Sequence, residues 1–434
     1  MNKRFFWFIS LTIIMSLVLV SCVGQADMPT EEIVEEETEV AEETEIEVTE
    51  TEEEPAVEEE PELIELIVWA DELRAPIIDG LGNQFANEYG IKLTIQQLGF
   101  GDIRDQLAVA GPAGEGPDII IGAHDWLGQL VSNGLVSTLD LGEKESEFLD
   151  ASISAFVYDG ELYGLPYATE NIAFFCNADI IDTAPTTWDE VTTLAEQLEE
   201  ESDGEVTAWT IQTNDPYHHF PLMNSFGGYV FGLTEEGYDP DDVGIDSPGA
   251  IASAEWLQSM VEAGHLTPDV DYDVLHTLFT TGKVACIGTG PWALSAIRDS
   301  GVNYFISPFP AGDVGPGSPF LGVQGFMISA FSENQILAQT VLNEIFATEE
   351  FMQAMYDVDP RPSAYLAVRD ATEDTDIAAF GIAGTTGLAM PAIPAMSSVW
   401  EAWGNATFLI ITQELDATTA YTDAANQIRT LIEE

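Results

Sequence analysis

Leu63–Gly122 reads LIELIVWADELRAPIIDGLGNQFANEYGIKLTIQQLGFGDIRDQLAVAGPAGEGPDIIIG, and its periodicities decide the fold. Leu63–Ala70 is an apolar strand candidate. Ile77 or Ile78, Leu81, Phe85 and Tyr89 then recur at helical spacing until Gly90. Ile91–Leu98 alternates as a strand, Asp102–Ala110 is helical, and Asp118–Gly122 is a short, continuously apolar strand. Strand–helix–strand–helix–strand is the pattern of a parallel sheet covered on both faces, because strands buried on two sides lose the polar alternation of half-exposed ones. The Gly111–Gly116 run, with Pro112 among its glycines, reads as a plain loop.

The pattern restarts downstream. Asn171–Asn177 and Thr207–Gln212 read as strands, Thr187–Glu190 (TWDE) as a capping box opening a helix to about Glu200, and Ser247-Pro248 as the start of a helix through Val261. Lys283–Gly288 is a further strand, followed by Gly290-Pro291 and another helix. A strand near Gly325–Ser329, a helix over Glu333–Thr348 and a mostly helical end complete the chain. Two α/β units without a linker between them predict an α/β fold of two lobes. Open α/β sheets bind ligands beyond the carboxyl ends of their strands, so the ligand site is expected between the lobes.

The first 62 residues say where such a fold works. Lys3 and Arg4 precede an apolar run that ends in Leu19-Val20-Ser21-Cys22, which reads as a signal peptide over residues 1–21. A Cys after Leu-Val-Ser resembles the bacterial lipobox, so Cys22 is the expected lipidation site and the protein is expected on the outer face of the cytoplasmic membrane. Residues 22–62 carry this Cys and an acidic segment without Lys or Arg, expected to be a disordered, solvated tether.

Formal charge is −66 over 434 residues, and residues 63–434 still hold 58 Asp and Glu against 9 Lys and Arg. Such a charge argues against nucleic acid as a partner. No Cys/His spacing suits zinc, and no HExxH, GxSxG or nucleotide-binding glycine fingerprint occurs, so no cofactor or metal is expected. Cys176 and Cys286 sit in apolar runs that favour two buried thiols, with a disulfide as the alternative.

Aromatic residues pair with carboxylates in the loops that flank these strands: Asp125-Trp126, Tyr167 to Glu170, Asp215-Pro216-Tyr217, Pro291-Trp292 and Met390–Pro394 ahead of Trp400. An aromatic face covers the C–H side of a pyranose while a carboxylate accepts from its hydroxyls, so the pairing suits carbohydrate. Trp69, Trp188 and Trp256 read as structural.

Gly116-Pro117-Asp118-Ile119-Ile120 with Ala123-His124-Asp125 resembles the maltose/maltodextrin-binding proteins of ABC importers. So do Asp215-Pro216-Tyr217 with Pro221, Asp242–Asp246, Gly290-Pro291-Trp292 and Met390–Ser397 with Trp400, in family order from about Leu63 to the C-terminus. The resemblance implies a periplasmic-binding-protein-like fold with three interlobe crossings, an N-terminal lobe of residues 63–169 and 325–372 and a C-terminal lobe of residues 170–324 and 373–434. It implies a monomeric, non-enzymatic receptor that closes on an α-glucan oligosaccharide and hands it to ABC permease subunits in the membrane. Carried over by position, Asp125, Glu170 and Asp215 would hydrogen-bond hydroxyls, Tyr217, Trp292 and Trp400 would stack on rings, and Arg74 would contact ligand from the first strand–helix loop.

The departures concern the exact sugar. Gly122 stands where many members stack a Trp, Trp126 where they carry a ligand-contacting Arg, and Asp215 where they have Glu. Glu401 and Gly404 replace an aromatic and a basic residue. Trp126 is expected either to supply the face missing at Gly122 or to pack on its own helix. The competing readings are a receptor for another sugar such as trehalose or a cyclodextrin, an extracellular glycoside hydrolase, and a cation receptor.

Overall fold

The computed structural model describes residues 63–234 and 237–433; the leader, Cys22 and the acidic segment lie outside them. The strand Ile64–Ala70 pairs in parallel with Ile91–Gln97 along its whole length and with Ile119–Ala123. Leu66, Val68 and Ile119 to Ile121 are buried, which is why the inner strands are largely apolar, whereas Ile91–Gln97 at the sheet edge buries Leu93 and exposes Lys92. Gly90 ends the intervening helical stretch at φ 76°, a left-handed turn that only glycine adopts freely. Tyr89, expected on the apolar face, is 60% exposed because the helix stops at Asn87.

Phe320–Ser329 is the long strand that organises the first sheet. It runs antiparallel to Ile119–Ala123 on one side and to Gly164–Glu170 on the other, with the two-residue strands Val136–Ser137 and Leu388–Ala389 added along it. A second sheet takes the order Tyr304–Ser307, Ala173–Asn177, Val284–Thr289, Thr207–Thr210.

Each sheet has its own core. The buried apolar residues on the first sheet run from Leu66 to Ala168, resume at Val323 and end at Val368. Those on the second run from Ile172 to Phe320 and from Phe380 to Ile428. The chain therefore passes between the two cores three times. After the third passage the helix Thr375–Ala383 is fastened to the second core by Arg298, which bonds Asp374 at 2.8 Å and Asp376 at 2.6 Å.

Two expectations are corrected. Cys176 and Cys286 are joined in a disulfide rather than standing as free thiols. They face each other in register on neighbouring antiparallel strands, with Cα atoms 4.2 Å apart. The Gly111–Gly116 run is not all loop: the helix Phe100–Ala113 continues through Pro112 and stops at Gly114, whose φ is 74°. The capping box is also modified. Thr187 caps Glu190 N at 3.2 Å, but the Glu190 carboxylate reaches back to Thr186 N at 2.6 Å.

Among the described residues, no helix is long and apolar enough to cross a membrane.

Candidate functional site

The carboxyl ends of the Ile64–Ala70 and Ile119–Ala123 strands lie at one edge of the first sheet, and the expected ligand residues of this half begin there. Asp71 turns the first loop by accepting Leu73 N and Arg74 N, each at 3.0 Å. It also pairs with the Arg74 guanidinium. Arg74 Nε donates to Tyr167 Oη at 2.6 Å, and its guanidinium carbon stands 5.2 Å from the centroid of Phe100. Burial works against the charge on Arg74, but Tyr167 and Asp71 outweigh it and hold the guanidinium firmly protonated. Arg74 is thus a buried residue held by Asp71 and Tyr167 and not a free arm.

Asp125 opens a short helical turn directly after Ile119–Ala123 and is 6% exposed. Burial pushes its carboxyl up to about 7, while Arg104 and the Trp400 side chain pull it down. Trp400 belongs to the second core, so this pair spans the two halves. His124 ties the same halves: its Nδ1 accepts Val323 N at 3.1 Å, and its Nε2 lies 3.3 Å from Met390 O. Burial keeps His124 neutral, with its pKa lowered to about 4.

Trp126 is 4% exposed and packs tilted against Phe100, with ring centroids 4.7 Å apart. Its six-membered ring lies over the Gly122 Cα, where any side chain at 122 would stand. The missing side chain and the extra ring are thus one packing unit.

Glu170, at the end of Gly164–Glu170, is 4% exposed. Its carboxylate is already held by Arg361 and by Gln324 Nε2 at 3.1 Å. Arg361 also pairs with Asp359. Sequence reasoning missed Arg361, Asp359 and Gln324. The available signal was scarcity: Arg361 is one of only nine basic residues after Glu62, and it stands between two prolines.

The second core supplies the facing set. Asp215 caps the helix Pro216–Ser225, accepting Tyr217 N at 3.0 Å and His218 N at 3.3 Å, and its other oxygen is 2.7 Å from His218 Nδ1. Burial raises the Asp215 carboxyl, but His218 more than offsets it, leaving the group below the ordinary range. Tyr217 lies near-parallel to Phe320 at 6.2 Å and 6.1 Å from Trp292. Burial, then Glu170, Asp215 and Asp125, drive its hydroxyl well above the usual phenol range. The charges of three carboxylates proposed from sequence are therefore all felt at one hydroxyl. Trp292 and Trp400 are half-buried against the second core, with Trp400 edge-on to Phe320 at 6.4 Å.

The structure brings Asp125, Glu170, Asp215, Tyr217, Trp292 and Trp400 into one neighbourhood, and sets Arg74 and Trp126 in its wall. Asp118, Asp242 and Asp246 of the matching motifs are structural: Asp118 accepts Ile67 N at 2.8 Å, Asp242 accepts Tyr229 Oη at 2.9 Å, and Asp246 pairs with Arg429 at 2.7 Å. Two pocket-like cavities among the described residues, of about 230 and 270 Å³, are lined by other residues, including Phe220, Tyr229 and Phe231 in one and Glu255, Glu262 and Asp416 in the other. Among the described residues no cluster of His, Cys, Asp and Glu is arranged to hold a metal ion.

Residues 80–380 match the bacterial extracellular solute-binding protein family. A galactooligosaccharide-binding protein of Bacillus subtilis (strain 168) is 30% identical over 373 residues, 83% of this chain and 88% of that protein. A maltodextrin-binding protein of the same organism is 27% identical over 85% of this chain and 90% of its own. A maltooligosaccharide ABC transporter solute-binding lipoprotein of Streptococcus pneumoniae (strain ATCC BAA-255 / R6) is 28% identical over 86% and 90%. The chain belongs to the bacterial extracellular solute-binding protein family.

Proposed function

We propose that this family member is the sugar receptor of an ABC importer, taking a neutral oligosaccharide of the malto- or galacto-series between two lobes and releasing it unchanged to membrane permease subunits. The observation that carries this reading is the ring cluster of Tyr217, Trp292, Phe320 and Trp400, with Asp125, Glu170 and Asp215, from two separately packed cores, near enough for their charges to act on Tyr217. Carboxylates accept from sugar hydroxyls, and rings cover the apolar faces of the sugar.

Residues 63–169 with 325–372, and 170–324 with 373–434, act as the two lobes. Their mechanism is closure, driven by ligand contacts that exist only when both halves meet. The His124–Met390 and Asp125–Trp400 contacts belong to the closed arrangement. Maltodextrin was the expectation from sequence; the galactooligosaccharide-binding relative widens the set to be tested. Lipidation at Cys22 would hold the receptor at the outer face of the cytoplasmic membrane; the Streptococcus pneumoniae relative is itself a lipoprotein.

Titration calorimetry of the full chain, in a detergent without a sugar headgroup, tests the reading against maltotriose, galactotriose, trehalose and cyclodextrins. Saturable binding of at least one is expected. A hydrolase would use Asp125, a carboxyl that burial raises to about 7, as its acid. Reducing ends released on long incubation with the bound sugar would replace the receptor reading with that one.

A further inference from the structure

Two buried polar atoms beside Glu170 have no hydrogen-bond partner among the described residues: Arg361 Nη2 and Gln324 Oε1. Buried donors and acceptors are rarely left unpaired, because each then forfeits its hydration without recompense. Arg361 is 2% exposed and Gln324 7%. The rest of both side chains is committed. Arg361 Nη1 and Nε serve Glu170 and Asp359, and Gln324 Nε2 donates to the second Glu170 oxygen at 3.1 Å. A carboxylate only accepts, so it fixes the amide with its NH2 towards Glu170 and its oxygen turned away.

Both residues lie where the first core meets the second. The segment after Arg361 runs along the Gly164–Glu170 strand, with Thr169 N donating to Pro362 O at 2.8 Å and Ala364 N to Tyr167 O at 2.9 Å. Gln324 pairs in register with Ala168 and Ala123, one residue before His124. From the opposite side, Tyr272 at the start of the helix Tyr272–Thr280 feels the charges of Arg361 and Asp359. The free donor and acceptor therefore flank Glu170 at the junction of the two cores.

Charge narrows the ligand. Arg74 and Arg361 are outnumbered by Asp71, Glu170 and Asp359, so an added carboxylate or phosphate would enter a site already in negative excess. A hydroxyl both donates and accepts without adding charge. We propose that Arg361, donating through Nη2, and Gln324, accepting through Oε1, bind neighbouring hydroxyls of one ligand ring, so that this end of the site admits neutral sugars and rejects uronic-acid or phosphorylated ones. The inference rests on the sugar-receptor reading above.

The test uses the full chain and calorimetry with maltotriose, galactotriose and the matching trimers that carry a uronic acid at either end. Wild type should bind a neutral trimer at least 100-fold tighter than its acidic counterparts. Arg361→Lys keeps a cation for Glu170 but loses the fork, and Gln324→Leu leaves the Arg361 pairs intact. Each should weaken the neutral trimer roughly 10-fold to 100-fold with little change in melting temperature. Among monodeoxy trimers, the one lacking the contacted hydroxyl should bind wild type weakly and gain no further loss in Arg361→Lys, a coupling that a purely structural role would not produce. Neutral sugar bound equally well by both variants, or acidic trimers bound as tightly as neutral ones, overturns the proposal and leaves the receptor reading standing. Wild type that binds no sugar overturns both.

Discussion

Asp125→Asn isolates a carboxyl that the fold pushes up to about 7. Asp125 is 6% exposed, and burial raises its pKa from 3.8 to about 7 against the pull of Arg104 and Trp400. Between those values the native protein holds a proton that the unfolded chain gives up. The native state therefore binds more protons, and stability falls as pH rises through this window. Each pH unit costs up to about 1.4 kcal/mol, or about 4 kcal/mol over the whole window. Asn keeps the shape and cannot ionise. Urea unfolding of both proteins from pH 4 to pH 8 gives the comparison, and subtraction cancels the mutual repulsion of the other acids. Relative to wild type, Asp125→Asn should gain stability steadily from pH 4 to about 7 and then level off. A difference that stays flat across the range would refute the claim that Asp125 is desolvated between the two cores.

Gly122→Ala should force the Trp126 ring off its seat and cost roughly 1–3 kcal/mol, as overpacking does; an unchanged melting temperature and tryptophan fluorescence would show that the ring is not held there. The Cys176–Cys286 bridge joins strands 110 residues apart in sequence, so Cys176→Ala with Cys286→Ala should lower stability by roughly 2–5 kcal/mol, and mild reductant should leave the folded wild type oxidised because both residues are wholly buried. Trp292→Ala should weaken sugar binding by roughly 1.5–3 kcal/mol with little loss of stability; the reverse pattern would return this ring to the core. Cys22→Ala should free the protein from membranes or leave a precursor with its leader, and normal processing and retention would exclude lipid at that residue.

The first sheet could be read from sequence because Ile64–Ala70 and Ile119–Ala123 are apolar and largely buried, Ile91–Gln97 alternates as an edge strand, and Gly90 and the Pro117-Asp118 entry punctuate them. The role of Phe320–Ser329 was less visible: a strand shared between two partners depends on pairing across 200 residues, and local periodicity marked only its second half. The same limit hid the disulfide, since an apolar setting suits a thiol and a bridge alike until register puts Cys176 opposite Cys286. Pro112 misled because proline near a helix end is tolerated when Gly114 supplies the left-handed stop. At the site, aromatic–carboxylate pairs in loops were legible as local patterns. Arg361 and Gln324 were not, because each acquires its meaning from Glu170, 191 and 154 residues away.

The most direct measurement is a crystal structure of the chain with bound maltotriose or galactotriose, whichever calorimetry shows to bind. The account predicts sugar rings between the two cores, lying against Tyr217, Trp292 and Trp400, with hydroxyls on Asp125, Glu170 and Asp215. Sugar seated in the apolar pocket of Phe220, Tyr229 and Phe231, or anywhere that leaves those six residues untouched, would contradict it.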